Sequence, residues 1–375
     1  MRVAVIRERR PEECRVALVP DLVSRLTDAG LDVAVEPGAG RHAHHTDDAY
    51  RAAGASVADD AVDGAEVLVS VQPPSPEQVR RLAPEGLTVS FLPFSDELDL
   101  VRELRDGGRT SFAFELVPRI SRAQGMDALS SQALVSGYRG ALVAAERLPR
   151  FLPLFMTAAG TVRPGKVVVL GAGVAGLQAI ATARRLGAIV EAYDVRAAAA
   201  EEVRSLGARF IELDLDALEG TGGYAREMGE DRARRQQELL APYIAEADAL
   251  VTTAAVPGRS APLLVTTDMV AAMKPGSVVV DLAAEQGGNV EGSRAGEETT
   301  VGEVLVWGGA NVASQLPIPA SQLYATNVVS LLLLMTSEGT VAPDLDDEVL
   351  AGCCVTHHGE VRQESVRELL DKEGQ

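Results

Sequence analysis

Gly171-Ala172-Gly173-Val174-Ala175-Gly176 carries the clearest chemistry in this chain: a GxGxxG that follows the apolar run 167–170 and opens a helix-patterned stretch at 177–186. In such a turn the first glycine permits a tight bend. The second lets backbone N–H groups approach a pyrophosphate at the helix N-terminus, and the third lets helix and strand pack closely. Asp194 closes the next strand-like run, 188–193, and stands 23 residues beyond Gly171. That is near the distance at which a carboxylate binds the adenosine ribose 2′-OH, where it also repels a 2′-phosphate. Glycines at a strand-to-helix turn can simply save space, and alone the motif leaves the two readings even. Strand, helix and acid together favour NAD(H), with Gly171, Ala172, Gly173, Val174, Gly176 and Asp194 as candidate cofactor contacts. Arg196 dissents, because an arginine can receive a 2′-phosphate; beside Asp194 it is read as a surface charge.

A second cluster is polar. Residues 118–132, PRISRAQGMDALSSQ, gather Arg119, Gln124, Asp127 and Ser130 at the mouth of a helix-patterned segment. By residue type alone this is a capping loop with Asp127 as the cap. His42, His44 and His45 beside Asp47 and Asp48 have ligand chemistry, but a solvated loop with Thr46 capping the next helix is the preferred reading, so no metal is expected. Tyr224, flanked by Gly222 and Gly223, is either a plain surface aromatic or the tip of a closing lid.

These groups need a frame. Up to about residue 116, short β-branched runs alternate with helical segments, which is the rhythm of a parallel sheet covered by helices. A helix over 127–151 bridges to a second βαβ series from Lys166 to about Gly309, and a helix over 321–336 precedes a tail with a short strand and helix. The expected fold class is α/β, with two Rossmann-like doubly wound parallel-sheet domains joined by long helices. The expected boundaries are 1–130 plus 318–375 for the first domain and 131–317 for the dinucleotide-binding one.

The block PRISRAQGMDALSSQ resembles the loop of domain I of the proton-translocating nicotinamide nucleotide transhydrogenases. The likeness spans the chain: ERRPEECRVALVP at the start, GVAGLQAIATARRLGA, GGYAREMGE, TTAAVPG, MKPGSVVVDLAAEQGGN, and CVTHHG near the end. The resemblance implies that Arg119, Asp127 and Ser130 surround the nicotinamide. Gln124 would reach toward the partner's nucleotide, Asp194 would hold the adenosine ribose, and Tyr224 would ride a mobile loop with Gly223. Gln236 and Ala255 fall at further nucleotide-contacting positions. It also implies hydride transfer from NADH to NADP(+) held by an NADP(H)-binding beta subunit, a membrane-spanning partner subunit, coupling to proton translocation, and a homodimer. The place would be the cytoplasm, at the inner face of the bacterial plasma membrane through those partners.

Alanine dehydrogenase shares this architecture and the RVA opening with Arg15. The resemblance places Gln72 and Pro93 where that enzyme has a lysine and a histidine, and Glu285 where it has an aspartate. Hydride passage between two nicotinamide rings needs alignment and no proton donor, so these departures suit transhydrogenation. An alanine dehydrogenase-like amino acid oxidoreductase and a non-catalytic NAD-sensing module that docks to a partner stand as the alternatives.

Composition bounds the rest. A formal net charge of −19 excludes a nucleic-acid partner, which needs a basic footprint. Three cysteines, two of them adjacent, give neither a disulfide framework nor a zinc site and fit a reducing compartment. The start lacks the pattern of a signal peptide, and the apolar run 328–335 is far below the ~20 residues of a membrane helix, so no direct membrane insertion is expected.

Overall fold

A computed structural model describes residues 1–215, 229–255 and 260–373. The chain forms two compact units: Met1–Gln132 with Ser314–Gln375, and Ala133–Ala313. Each is built on a parallel sheet with the strand order 3-2-1-4-5-6 of a doubly wound Rossmann fold.

In the first unit the parallel strands lie in the order Ser56–Val57, Asp32–Val35, Arg2–Val5, Val67–Val69, Leu87–Ser90 and Thr110–Ala113. The C-terminal strands Cys354–His357 and Glu360–Val361 extend the last edge antiparallel. The strands read as nearly continuous apolar runs because both faces are covered. Val3 and Val5 enter one core cluster, while Ala4 and Leu68 face the other.

The second unit orders its parallel strands Arg209–Phe210, Ile189–Tyr193, Lys166–Leu170, Ala249–Thr252, Val278–Asp281 and Val304–Gly308, with Glu298–Val301 antiparallel at the edge. Its alternation is equally clean. Val167, Val169 and Val251 face one cluster; Val168, Leu170 and Leu250 face the other.

The helix expected over 127–151 is Ala128–Arg147. It stops short because Pro149 follows, and the residue before a proline is pushed out of the helical region. The chain passes into the second unit inside this helix and returns within the 3-10 turn Val312–Gln315. The helix expected over 177–186 is Val174–Arg185, so it begins inside the glycine motif. The helix expected over 321–336 is Pro317–Leu334, started by a proline that needs no N–H partner there. It is long and apolar enough by composition to cross a membrane, with mean hydropathy 1.2 over 18 residues, and half of that window is buried in the chain. Tyr324, Val328, Leu331 and Leu332 belong to the main core of the first unit. Thr46 caps the helix Asp47–Ala52, its Oγ1 accepting from Ala49 N at 3.2 Å.

Candidate functional site

The glycine motif sits at the carboxyl ends of the two strands, Lys166–Leu170 and Ala249–Thr252, where the strand order reverses; in open α/β sheets this is where ligands bind. Its three glycines do three different jobs. Gly171 has φ +96°, and a Cβ there would lie 2.7 Å from Thr253 Oγ1. At Gly176 a Cβ would lie 1.8 Å from Gly171 O, so the helix can approach the turn only without one. At Gly173 a Cβ would meet nothing within 4 Å. Gly173 is the N-cap of Val174–Arg185 and provides no side-chain cap, leaving the first N–H groups of that helix to an anion. Open space at this position is what a pyrophosphate approach requires, and Val174, the first helical residue, is exposed beside it.

The neighbouring loop is fastened to the glycine turn. Thr253 Oγ1 donates to Gly171 O at 3.0 Å. Asn289, fully buried, accepts from Ala254 N at 2.9 Å and donates to Ala254 O at 2.7 Å and to Pro262 O at 2.8 Å. Asp281 in turn accepts from Thr252 Oγ1 at 2.9 Å and from Asn289 N at 3.0 Å. This chain of bonds sets Ala255, which is exposed, at the carboxyl edge of the sheet. Asn289 and Asp281 are positioning residues that sequence reasoning missed; the GGN and VVVD in which they stand were the available signals.

Asp194 accepts from Ala172 N at 2.7 Å, which ties the end of one strand to the glycine turn of the next. Arg196 is not the surface charge its position suggested. It is part-buried and forms a two-pronged pair with Asp194, Nε to Oδ1 at 2.9 Å and Nη2 to Oδ2 at 3.0 Å, and this bonding raises its pKa. A backbone turn that brings residue 196 back over residue 194 is the reason, and spacing alone does not reveal it.

Gln236 lies on the helix Glu230–Ala245, whose Leu240 and Ile244 pack against Val168 and Leu170. Spaced four residues apart, Gln236, Leu240 and Ile244 share one face. The helix runs against the strand it feeds, so Gln236 stands nearer the carboxyl edge. It is 1% exposed, and neither end of its amide has a hydrogen-bond partner among the described residues. A buried amide so placed costs on the order of 1–3 kcal/mol unless a ligand satisfies it. These residues fit a dinucleotide. Tyr224 and Gly223, and the lid they were expected to form, lie outside the described residues.

The polar loop belongs to the first unit. After strand Thr110–Ala113 the chain reaches Arg119, which is exposed, then the 3-10 helix Ser121–Met126, which carries Gln124 on its exposed side. Asp127 caps the long helix, Oδ1 accepting from Ser130 N at 2.9 Å and Oδ2 from Ser130 Oγ at 2.6 Å. Asn327 clamps the loop from below, donating to Gly125 O at 2.9 Å and accepting from Ser131 Oγ at 2.7 Å. Arg122 holds Asp347 with both terminal nitrogens, at 2.7 and 2.9 Å.

A buried ionic network at this unit's own switch point also escaped sequence reasoning. Arg15 is 5% exposed and grips Glu13 through Nε at 2.8 Å and Nη2 at 2.7 Å, while its Nη1 donates to Gln132 Oε1 at 3.0 Å. Gln72 Nε2 donates to Glu13 Oε2 at 2.7 Å. Burial by itself would raise the Glu13 pKa, but the bonds and charge of Arg15 outweigh it and hold the carboxyl at about 2. Glu8, bonded to Val71 N at 2.6 Å, has its carboxyl enclosed although the residue as a whole is only half-buried, and burial pushes it up to about 8.

A doubly wound sheet whose switch point combines an open glycine, an acid at the end of the neighbouring strand and a buried amide without a partner among the described residues defines a dinucleotide-binding protein. Residues 4–136 match the family described as alanine dehydrogenase/PNT, N-terminal domain, and residues 140–364 match alanine dehydrogenase/PNT, C-terminal domain, so the chain belongs to the alanine dehydrogenase/PNT family. It is 44% identical over 374 residues to the first part of NAD(P) transhydrogenase subunit alpha from Rhodospirillum rubrum, covering 96% of this chain and 97% of that protein. It is 31% identical over 380 residues to the alanine dehydrogenase of Mycobacterium tuberculosis, covering 98% and 96%. The crystal structure of the transhydrogenase from Sinorhizobium meliloti superposes with a TM-score of 0.85 at 42% identity, covering 97% of this chain and all of that one.

Proposed function

We propose that this chain is the NAD(H)-binding component of an NAD(P) transhydrogenase, passing hydride from NADH to NADP(+) bound on a partner subunit and coupled in the full complex to proton translocation. The observation that carries the dinucleotide reading is Gly173, open to an approaching phosphate between two glycines that are closed by their neighbours. NAD(H), when bound, supplies the hydride. The first N–H groups of Val174–Arg185 bind its pyrophosphate, Asp194 its adenosine ribose, and Gln236 and the backbone at Ala255 further polar atoms. Arg119, Asp127 and Ser130 orient the nicotinamide, with Asp127 held in one position by its own capping bonds. Gln124, exposed on its 3-10 helix, meets the nucleotide of the partner.

What favours this over amino acid oxidation is Gln72. Where an alanine dehydrogenase would use a lysine this chain has a neutral amide locked onto Glu13, and Pro93 replaces the histidine. Neither can move a proton at neutral pH, and hydride passage between two rings asks for none. The identities of 44% and 31% over the whole chain point the same way. Buried Arg15 favours the second reading, an alanine dehydrogenase-like oxidoreductase, because a guanidinium suits a substrate carboxylate.

The partners are an NADP(H)-binding beta subunit and a membrane-spanning subunit, which would hold this chain at the inner face of the plasma membrane, with a second copy of this chain completing a homodimer. The hairpin Phe155–Thr157 with Gly160–Val162 supports the homodimer. All six of its strand residues are exposed, Met156 to 77%, and a lone two-stranded hairpin is marginal without cover. The test is to mix the purified chain with an NADP(H)-binding transhydrogenase subunit and follow reduction of an NAD analogue by NADPH. Transfer that needs both proteins is expected. NADH oxidation by the chain alone with pyruvate and ammonium would replace this reading with the second one.

A further inference from the structure

An ionised carboxylate offers about four acceptor positions on its two oxygens. At Asp194 protein donors fill them. Oδ1 accepts from Arg196 N at 2.8 Å and Arg196 Nε at 2.9 Å; Oδ2 accepts from Ala172 N at 2.7 Å and Arg196 Nη2 at 3.0 Å. The same Nη2 donates to Ala172 O at 3.1 Å, so the guanidinium lies along the glycine turn. The side chains of Asp194 and Arg196 are 8% and 23% exposed, which leaves the arginine within reach of an incoming group. The two hydroxyls of an adenosine ribose need the positions that Arg196 occupies. A 2′-phosphate needs the guanidinium that Asp194 occupies.

We propose that Asp194 and Arg196 form a single cofactor-selecting element, in which Arg196 is the specificity-determining residue held in check by Asp194. A ribose diol exchanges for the guanidinium on the carboxylate, hydrogen bond for hydrogen bond. A 2′-phosphate meets a neutralised pair and gains nothing from the arginine. Selection against NADP(H) then has two parts: repulsion by the carboxylate, and sequestration of the guanidinium paired with it. Without the carboxylate partner, Arg196 becomes a 2′-phosphate receptor. This rests on the reading of the second unit as an NAD(H) site.

The experiment is equilibrium titration of NADH and NADPH against the unmodified chain, Asp194→Asn, Arg196→Ala and the double variant, each checked by circular dichroism and thermal melting. Asp194→Asn should weaken NADH and strengthen NADPH by about 10- to 100-fold, the scale of one to two charge-assisted bonds. In the double variant the gain for NADPH should vanish. Arg196→Ala alone should bind NADH at least as tightly as the unmodified chain, since no guanidinium has to leave. Arg196→Lys in the Asp194→Asn background keeps a cation without the planar fork and should retain part of the gain, which guards against a folding artefact in the alanine variant. A gain for NADPH that persists in the double variant overturns the proposal, leaving repulsion as the whole of the selectivity. An unmodified chain that binds neither dinucleotide overturns the NAD(H) reading instead, and the proposal with it.

Discussion

The two units share a strand order and differ in what fills the place where that order reverses. In the second, the first strand runs into GAGVAG and the turn is left open, with nothing within 4 Å of a Cβ placed on Gly173. In the first, the equivalent turn after Arg2–Val5 runs into RERRPEECR, and the crevice is taken up by Glu13, Arg15, Gln72 and Gln132 bonded to one another. Topology therefore supplies the concavity twice, and residue choice decides whether a dinucleotide or the protein's own charges occupy it.

The comparison breaks most easily at Glu13. Glu13→Ala leaves a buried guanidinium without its carboxylate and should cost about 3–5 kcal/mol of stability, read by chemical denaturation. A loss below about 1 kcal/mol, the ordinary worth of a surface ion pair, would mean that the network is not what holds the first unit's crevice together.

Gln124→Asn comes next. It keeps the amide but shortens its reach, so single-turnover hydride transfer in the reconstituted complex should fall on the order of 100-fold, the cost of about 1 Å of misalignment. NADH titration should show little change. Collapsed NADH affinity, or transfer at the unmodified rate, would remove Gln124 from the bridging role.

A pair of glycine variants sharpens the second unit. Gly176→Ala puts a methyl 1.8 Å from a carbonyl oxygen and should unfold the unit or lower its melting temperature sharply. Gly173→Ala, with φ −76° and open space, should melt with the unmodified chain and yet lose about 10-fold in NADH affinity. If Gly173→Ala bound NADH normally, phosphate would not approach there.

The smallest effect is a pH dependence with two opposite parts. Between the ordinary carboxyl value of 4.5 and about 8, Glu8 keeps a proton in the folded chain that the unfolded chain has released, so stability falls as pH rises through that window. Glu13, held at about 2, contributes stability above 4.5 that is lost as pH drops toward 2. Unfolding midpoints measured between the two Glu8 values should show a decline with rising pH that Glu8→Gln flattens. An identical slope in that variant would assign the decline elsewhere.

What was legible in the sequence follows from which atoms do the work. The glycine motif stands at a strand-to-helix turn and Asp194 at the end of the next strand, places that a fixed spacing marks in the linear sequence. The βαβ rhythm reads out both sheets because parallel strands are buried on both faces. Arg196 was misjudged because the direction of a side chain in a turn is a matter of three dimensions. The network of Glu13, Arg15, Gln72 and Gln132 joins residues far apart in the chain, Arg15 and Gln132 by 117 positions, that carry no shared motif. Asn289, a polar residue inside a buried corner, looks like any loop asparagine until its bonds to Ala254 are seen. The early end of the bridging helix was readable, since Pro149 stands within the extra turn expected there.

A crystal structure of the chain soaked with NADH tests the central claim most directly. The pyrophosphate should lie on the first N–H groups of Val174–Arg185 over Gly173, with the adenosine ribose hydroxyls on Asp194 and the Arg196 guanidinium turned off the carboxylate. Phosphates bound anywhere else, or a ribose that leaves the pair of Asp194 and Arg196 intact, would contradict the account.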